Sequence, residues 1–185
     1  MTATPAAATT TREQILRAAL ELFSSQGYDA TSLRQIAERL GLTKAALYYH
    51  FPAKEHLVVE LTRPFLEGFA EVVGEARAAT REGSPIDGDD LIARYLDLVL
   101  EHHEVLHLLT YDPAAQNHPD VGQRARVLYH ALQAEIVGRD AGGADSIRAA
   151  CALAAVSAAA TIPAPRLRSA RRHVLASALA ALHAE

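Results

Sequence analysis

The chain has one cysteine, Cys151, and no tryptophan, and aromatic residues fill only 5% of its 185 positions. A lone cysteine excludes an intramolecular disulfide and leaves no ligand set for a cysteine-based zinc site. Strands draw on alternating β-branched and aromatic residues, and no such alternation runs to useful length. The most apolar run, Ala149 to Ile162, is too short and alanine-rich to span a bilayer core of about 30 Å. The first residues carry no positive charge before Arg12 and no apolar stretch after it, unlike a signal peptide. A cytoplasmic protein with no membrane partner is therefore expected. Gly-rich phosphate loops, a G-x-S-x-G elbow and paired-carboxylate helix motifs are also missing, which argues against an enzyme and against any cofactor.

What is present favours helices. Half of the residues are apolar, enough for a sizeable core, and alanine is abundant. Alanine loses no side-chain entropy on entering a helix, so the fold class expected is all-α. The net charge of −4 at first disfavours nucleic acid. Its distribution weakens that objection: residues 1–56 hold six Lys/Arg against five Asp/Glu, and residues 57–185 hold twelve against seventeen. The acidity belongs to the later part, and a DNA-binding head needs only local positive potential.

Periodicity and punctuation predict about eight or nine helices. Residues 1–10 read as a mobile tail. A first helix starts at Thr11, where Thr11 and Gln14 have the form of a capping box, and Gly27 supplies a left-handed stop. Ser32 with Gln35 caps a second helix, Gly41 ends it, and Thr43 caps a third through His50. Helix, glycine turn, helix over some twenty residues is the helix-turn-helix pattern. Pro52 breaks the chain before a long helix from Lys54 to about Glu82. Further helices are expected from Asp89 to near Asp112-Pro113, Pro119 to Val137, Asp145 to Ile162, and Arg166 to His183. The domains predicted are a head at 11–56, with three helices, and a body at 57–185 of about five to six.

The stretch Gly27-Tyr28-Asp29-Ala30-Thr31-Ser32-Leu33-Arg34-Gln35-Ile36-Ala37-Glu38-Arg39-Leu40-Gly41-Leu42-Thr43-Lys44-Ala45-Ala46-Leu47-Tyr48-Tyr49-His50-Phe51-Pro52-Ala53-Lys54-Glu55 resembles the signature of TetR-family regulators nearly residue for residue. Ile15 to Phe23 is similar to that family's first helix, so the resemblance covers about residues 12–60.

A physical reading stands beside it. The N-terminal residues of a helix in the major groove face base edges, here Thr43, Lys44 and Ala45. Lys44 can donate to guanine, and Ala45 is small enough to meet a thymine methyl. Tyr48 and His50 lie where they can reach phosphates, which position a head without reading sequence. Lys54, at a helix start, and Thr31 and Ser32, at another, are further phosphate candidates. The resemblance implies that Lys44, Ala45, Tyr48, His50 and Lys54 occupy positions that commonly touch DNA, and that Arg34 matches one that reaches a base in some members. An exposed arginine is more often a solvated charge. Tyr49 either joins its neighbour Tyr48 at DNA or packs inward.

Specific binding by so small a head needs two copies on a palindromic operator, with half-sites ~34–36 Å apart. The last two helices are the candidate homodimer seam: Cys151, Ala154 and Ala158 on one, and Leu167, Val174, Leu175 and Leu179 on the other. The pattern alone fits a subunit core equally well; the resemblance, to a family that dimerises through its last two helices, decides for the seam. A basic cluster, Arg166, Arg168, Arg171 and Arg172, reads as a solvated face beside it.

The middle helices carry the candidates for a small-molecule effector pocket: Phe65, Phe69, Tyr95, His102, Leu106, Tyr111, Tyr129 and Leu132. Each taken singly is more often ordinary core. His103 and His107 stand four apart on a helix, but no further ligand completes a metal site, and none is expected. The resemblance implies a repressor released by a small molecule. The competing reading is a helical protein-interaction module whose head no longer reads DNA.

Overall fold

The computed structural model describes residues 10–138, 141–159, 162 and 164–184, without the side chains of Ala114, Ala164, Pro165, Leu167 and Arg168. The predicted tail, apart from Thr10, and the side chain of Leu167 lie outside the described residues. The described residues contain ten helices and no strand. They group into two compact units that part between Leu61 and Thr62.

The first unit contains α1 (Thr11–Gln26), α2 (Leu33–Leu40), α3 (Lys44–His50) and the start of α4 (Lys54–Arg81). The cap of α1 sits one residue earlier than expected: the Thr10 hydroxyl accepts from the Glu13 amide, and Glu13 accepts from the Thr10 amide. Thr11 is the first helical residue. Gly27 has a positive φ of 88°, but its ψ of 158° is extended rather than helical. The cap of α2 follows the sequence reading, with Ser32 and Gln35 bonded reciprocally.

Gly41 at φ 65° and ψ 23° closes α2 in the left-handed conformation that costs glycine least. Its amide bonds the Glu38 carbonyl, and the Leu42 amide bonds that of Ala37, as in a Schellman turn. The Thr43 hydroxyl caps α3 by accepting from the Ala46 amide. Ile15, Ala19, Phe23, Ile36, Leu47 and Phe51 form the buried centre that locks these helices together.

The second unit runs from Thr62 and adds α5 (Gly88–Glu101), α6 (His103–Tyr111), α7 (Pro113–Asn117), α8 (Gly122–Val137), α9 (Gly143–Ala158) and α10 (Ala164–Leu182). Helix α4 continues through Pro64, which is exposed and removes one rung of the backbone ladder without ending the helix. The single helix expected from Asp89 to Asp112 is two, because His102 adopts φ −111° and ψ 29°. The helix expected from Pro119 begins only at Gly122, after the short α7. There a Cβ on Gly122 would stand 1.8 Å from the Gln116 carbonyl oxygen, so only glycine permits the approach of α7 to α8. Helix α10 packs along α9 and touches α5, and α8 packs on both α9 and α5. No helix among the described residues is long and apolar enough to cross a membrane.

Candidate nucleic-acid interface and body cleft

Helix α3 divides its side chains sharply. Leu47 points into the core with no exposure, and Phe51 closes the end at 1%. Lys44, Ala45, Tyr48 and Tyr49 face outward, with Tyr48 41% and Tyr49 85% exposed, and His50 is half-buried. The inward alternative for Tyr49 is thereby closed; its ring meets that of His50 edge-on at 5.3 Å. The Lys44 ammonium lies 5.4 Å from the Tyr48 ring centroid, so the two side chains form one outward cluster.

Other charges of the head are largely spent internally. Arg12 pairs with Glu60, Arg39 with Glu21 at 2.6 Å, and Arg34 with Glu38 at 2.7 Å. The Glu38 hydrogen bond holds the exposed Arg34 guanidinium even further above its ordinary range. Among the described residues Lys44 has no carboxylate partner. The positive charge of α3 is therefore not neutralised locally.

Two of the expected phosphate contacts have different surroundings. The Lys54 ammonium donates to the carbonyls of Tyr28 at 2.8 Å and Thr31 at 2.9 Å, and lies 3.9 Å from the Tyr28 ring centroid. Thr31 is buried; its hydroxyl donates to the Gly27 carbonyl at 2.8 Å and accepts from the Gln26 amide side chain. Both thus have their polar atoms engaged within the turn before α2. Ser32 stays exposed at its cap, and Thr43 likewise.

The second unit contains a two-chambered cleft. The inner chamber, about 170 Å³, is lined by Phe65, Phe69, Tyr95 and Leu106, with Tyr129 and Ser157. The outer chamber, about 530 Å³, shares Tyr129 and Ser157 and adds Tyr111, Gln116, Ala154 and Ala158. The structure thus brings together six of the eight pocket candidates. His102 lines a separate groove between α4 and α5, its ring 6.1 Å from that of Phe65. Leu132 is wholly buried and lines neither chamber.

At the cleft, the Tyr95 hydroxyl and Ser157 Oγ are 3.1 Å apart. Burial pushes the Tyr95 phenol up to about 12, so it stays neutral at ordinary pH. Tyr129, also raised by burial, donates to the Ala150 carbonyl. Sequence reasoning missed Ser157, hidden in an alanine run, and Arg126, which lines both chambers. Its one available signal was its place three residues before Tyr129 on the same helix face.

His103 and His107 do not converge. His103 Nε2 donates to the Ile162 carbonyl, and the His107 ring packs on Tyr111 at 5.1 Å. Among the described residues no group of three or more His, Cys, Asp or Glu could hold a metal. Helix α9 buries Ala149, Ala152, Leu153 and Val156 and leaves Ile147, Cys151, Ala154 and Ala158 as an exposed apolar stripe. On α10, Val174, Leu175 and Leu179 are half-buried, and Arg171 is held by both Asp97 oxygens at 2.7 and 2.8 Å.

Residues 15–61 match the family model described as bacterial regulatory proteins, tetR family. The HTH-type transcriptional repressor KstR2 of Mycolicibacterium smegmatis is 38% identical over 64 residues, covering 35% of this chain and 31% of the relative. The HTH-type transcriptional regulator LmrA of Bacillus subtilis is 40% identical over 78 residues, or 42% and 40% of the two chains. The matched stretch thus spans less than half the length of either relative. The fold extends further. A TetR-family regulator from Streptomyces coelicolor superposes with a TM-score of 0.69 at 17% identity, covering 100% of this chain and 94% of that one. The ketosteroid transcriptional regulator KstR2 of Mycobacterium tuberculosis gives 0.66 at 17% identity over 91% and 95%.

Proposed function

We propose that this chain, which belongs through its head to the tetR family of bacterial regulatory proteins, is a homodimeric, sequence-specific DNA-binding repressor released by a small molecule. The observation that carries the reading is the outward cluster of Lys44, Ala45 and Tyr48 on a helix anchored by the buried Leu47 and Phe51. A helix of that kind enters the major groove, where Lys44 donates to guanine and Ala45 meets a thymine methyl. Tyr48, Tyr49, His50, Thr43 and Ser32 stand around it for backbone contacts, which fix register. Lys54 and Thr31 support this surface from behind, by holding the turn that precedes α2.

The apolar stripe of α9 is the natural self-complementary surface for a two-fold dimer, joined by α10. Two heads so linked bind a palindromic operator in the cytoplasm. The cleft in the body takes the effector. A ligand that binds more tightly to the state with mismatched heads lowers operator affinity by that difference in free energy. The named relatives, one of them called a repressor, are transcriptional regulators rather than enzymes.

The test is selection of bound duplexes from a random pool at fixed salt. Enrichment of a two-fold symmetric site supports the reading. A pool that stays random, or binding without any sequence preference, points instead to a protein-interaction module.

A further inference from the structure

Among the described residues the body cleft carries one charge. Every described residue lining either chamber is apolar, glycine or neutral polar except Arg126, which lines both and so stands where they join. Arg126 is exposed, and one of its nitrogens donates to the Gln116 carbonyl at 3.1 Å. Gln116 is itself held close to α8 by the approach that Gly122 permits. Among the described residues no carboxylate lies within salt-bridge distance of Arg126, in contrast to Arg94, Arg148 and Arg171 of the same unit. A guanidinium presents five donors in a planar fork, and here one is used. In the smaller chamber, of about 170 Å³, the rings of Phe65, Phe69, Tyr95 and Tyr129 line the space, and the Tyr95–Ser157 hydroxyl pair lies beside Thr110 as its neutral polar side.

We propose that the effector is an amphipathic carboxylate: an aromatic or short aliphatic body seated against Phe65, Phe69 and Tyr95, with its anionic head on the fork of Arg126. This rests on the cleft being the effector site. The Gln116 carbonyl fixes one edge of the guanidinium and leaves the other for a bidentate contact, the geometry carboxylates prefer. A cationic head would meet Arg126 with no acid to offset it, and a neutral head would forgo the ion pair and its bidentate geometry.

Three probes with one apolar body separate these cases: 4-phenylbutyrate, 4-phenylbutanol and 4-phenylbutylamine, titrated calorimetrically into the full-length protein. The acid should bind roughly tenfold or more tighter than the alcohol, the scale of one hydrogen bond to a charged group, and the amine weakest. Arg126→Gln should bring the acid down to the level of the alcohol and leave the alcohol unchanged, while Arg126→Lys keeps part of the preference. Ala125→Leu, which narrows both chambers, should weaken all three.

Equal binding of acid and alcohol, a preference that survives Arg126→Gln, indifference to Ala125→Leu, or no binding of any probe at millimolar concentration would overturn the inference. Helicity of each variant is checked by circular dichroism. Duplex binding measured on the same samples keeps the two claims apart. Lost DNA binding with the acid preference intact contradicts the regulator, and DNA binding with no acid preference contradicts only this ligand class.

Discussion

The Lys54 ammonium reaches back across 26 residues of sequence to cap the Tyr28 carbonyl and lie on the face of the same residue's ring. One side chain thus pins the turn that precedes α2, and with it the angle at which α2 presents α3. A charge so placed holds the turn of the head that leads into α2.

Removing it separates positioning from phosphate contact. Lys54→Met should destabilise the head by roughly 1.5–3 kcal/mol, the range for hydrogen bonds to a charged group, and lower operator affinity in proportion. The slope of log affinity against log salt should stay unchanged, because no counterion-releasing contact is lost. A slope shallower by about one would assign Lys54 to a phosphate instead.

Gly122→Ala places a methyl where the Gln116 carbonyl stands, since the added Cβ would fall 1.8 Å from that oxygen. Backbone cannot yield as a flexible side chain can. Chemical denaturation should show a loss of roughly 2 kcal/mol or more, in line with overpacked interiors. Gly74→Ala, which meets nothing within 4 Å, should hold or raise stability. Equal effects at the two positions would contradict the close approach of α7 to α8.

Tyr95 links pH to stability in a defined window. Its folded pKa, about 12, lies above the ordinary tyrosine value of 10.0 because burial disfavours the phenolate. A raised folded pKa means that its contribution is complete below pH 10 and is lost as pH rises towards 12. Absorbance titration should therefore show one tyrosine ionising only as the body unfolds. Tyr95→Phe should remove that late step and flatten the loss of stability above pH 10. An unchanged titration curve in the variant would contradict the assignment.

The α9 stripe predicts its own disruption. Ile147 is 66% exposed at one end, and Ala154 faces the same way. A carboxylate at either place, Ile147→Glu or Ala154→Glu, costs the free subunit little because the site is open to water. In a two-fold seam the charge would be buried against its symmetry mate. Sedimentation should therefore show a dimer for the parent chain and a monomer of unchanged helicity for the variants. A parent chain that sediments as a monomer would contradict the seam.

Features written in adjacent residues were readable from the sequence, and those made by distant approach were not. The caps at Ser32 and Thr43 and the left-handed Gly41 depend on three or four neighbours, and each stands where its neighbours place it. Three threonines in a row at 9–11 allow two capping registers one residue apart, which is why Thr10 with Glu13 was missed for Thr11 with Gln14. The break at His102 left no mark, because Leu98, Val99, Val105 and Leu106 sustain the apolar period straight across it. The carbonyl contacts of Lys54 were hidden for a different reason. A lysine at a helix start looks the same whether it faces a phosphate or turns back onto a carbonyl.

The cleft was half legible. Its aromatic wall follows from large residues at helical spacing on α4, α5 and α8, so Phe65, Phe69, Tyr95 and Tyr129 could be named. Ser157 and Arg126 gain meaning only once α8 and α9 are brought side by side. Composition along one helix carries no such information.

The most direct test of the central claim, that α3 reads DNA, is the affinity of the parent chain and of Lys44→Ala for the selected duplex and for a scrambled duplex, at two salt concentrations. The account predicts that the variant loses roughly 1–3 kcal/mol on the selected duplex, the value of a good base contact, with a much smaller loss on the scrambled one. An equal loss on both duplexes would make Lys44 a phosphate contact, and no loss on either would place the DNA-binding surface elsewhere.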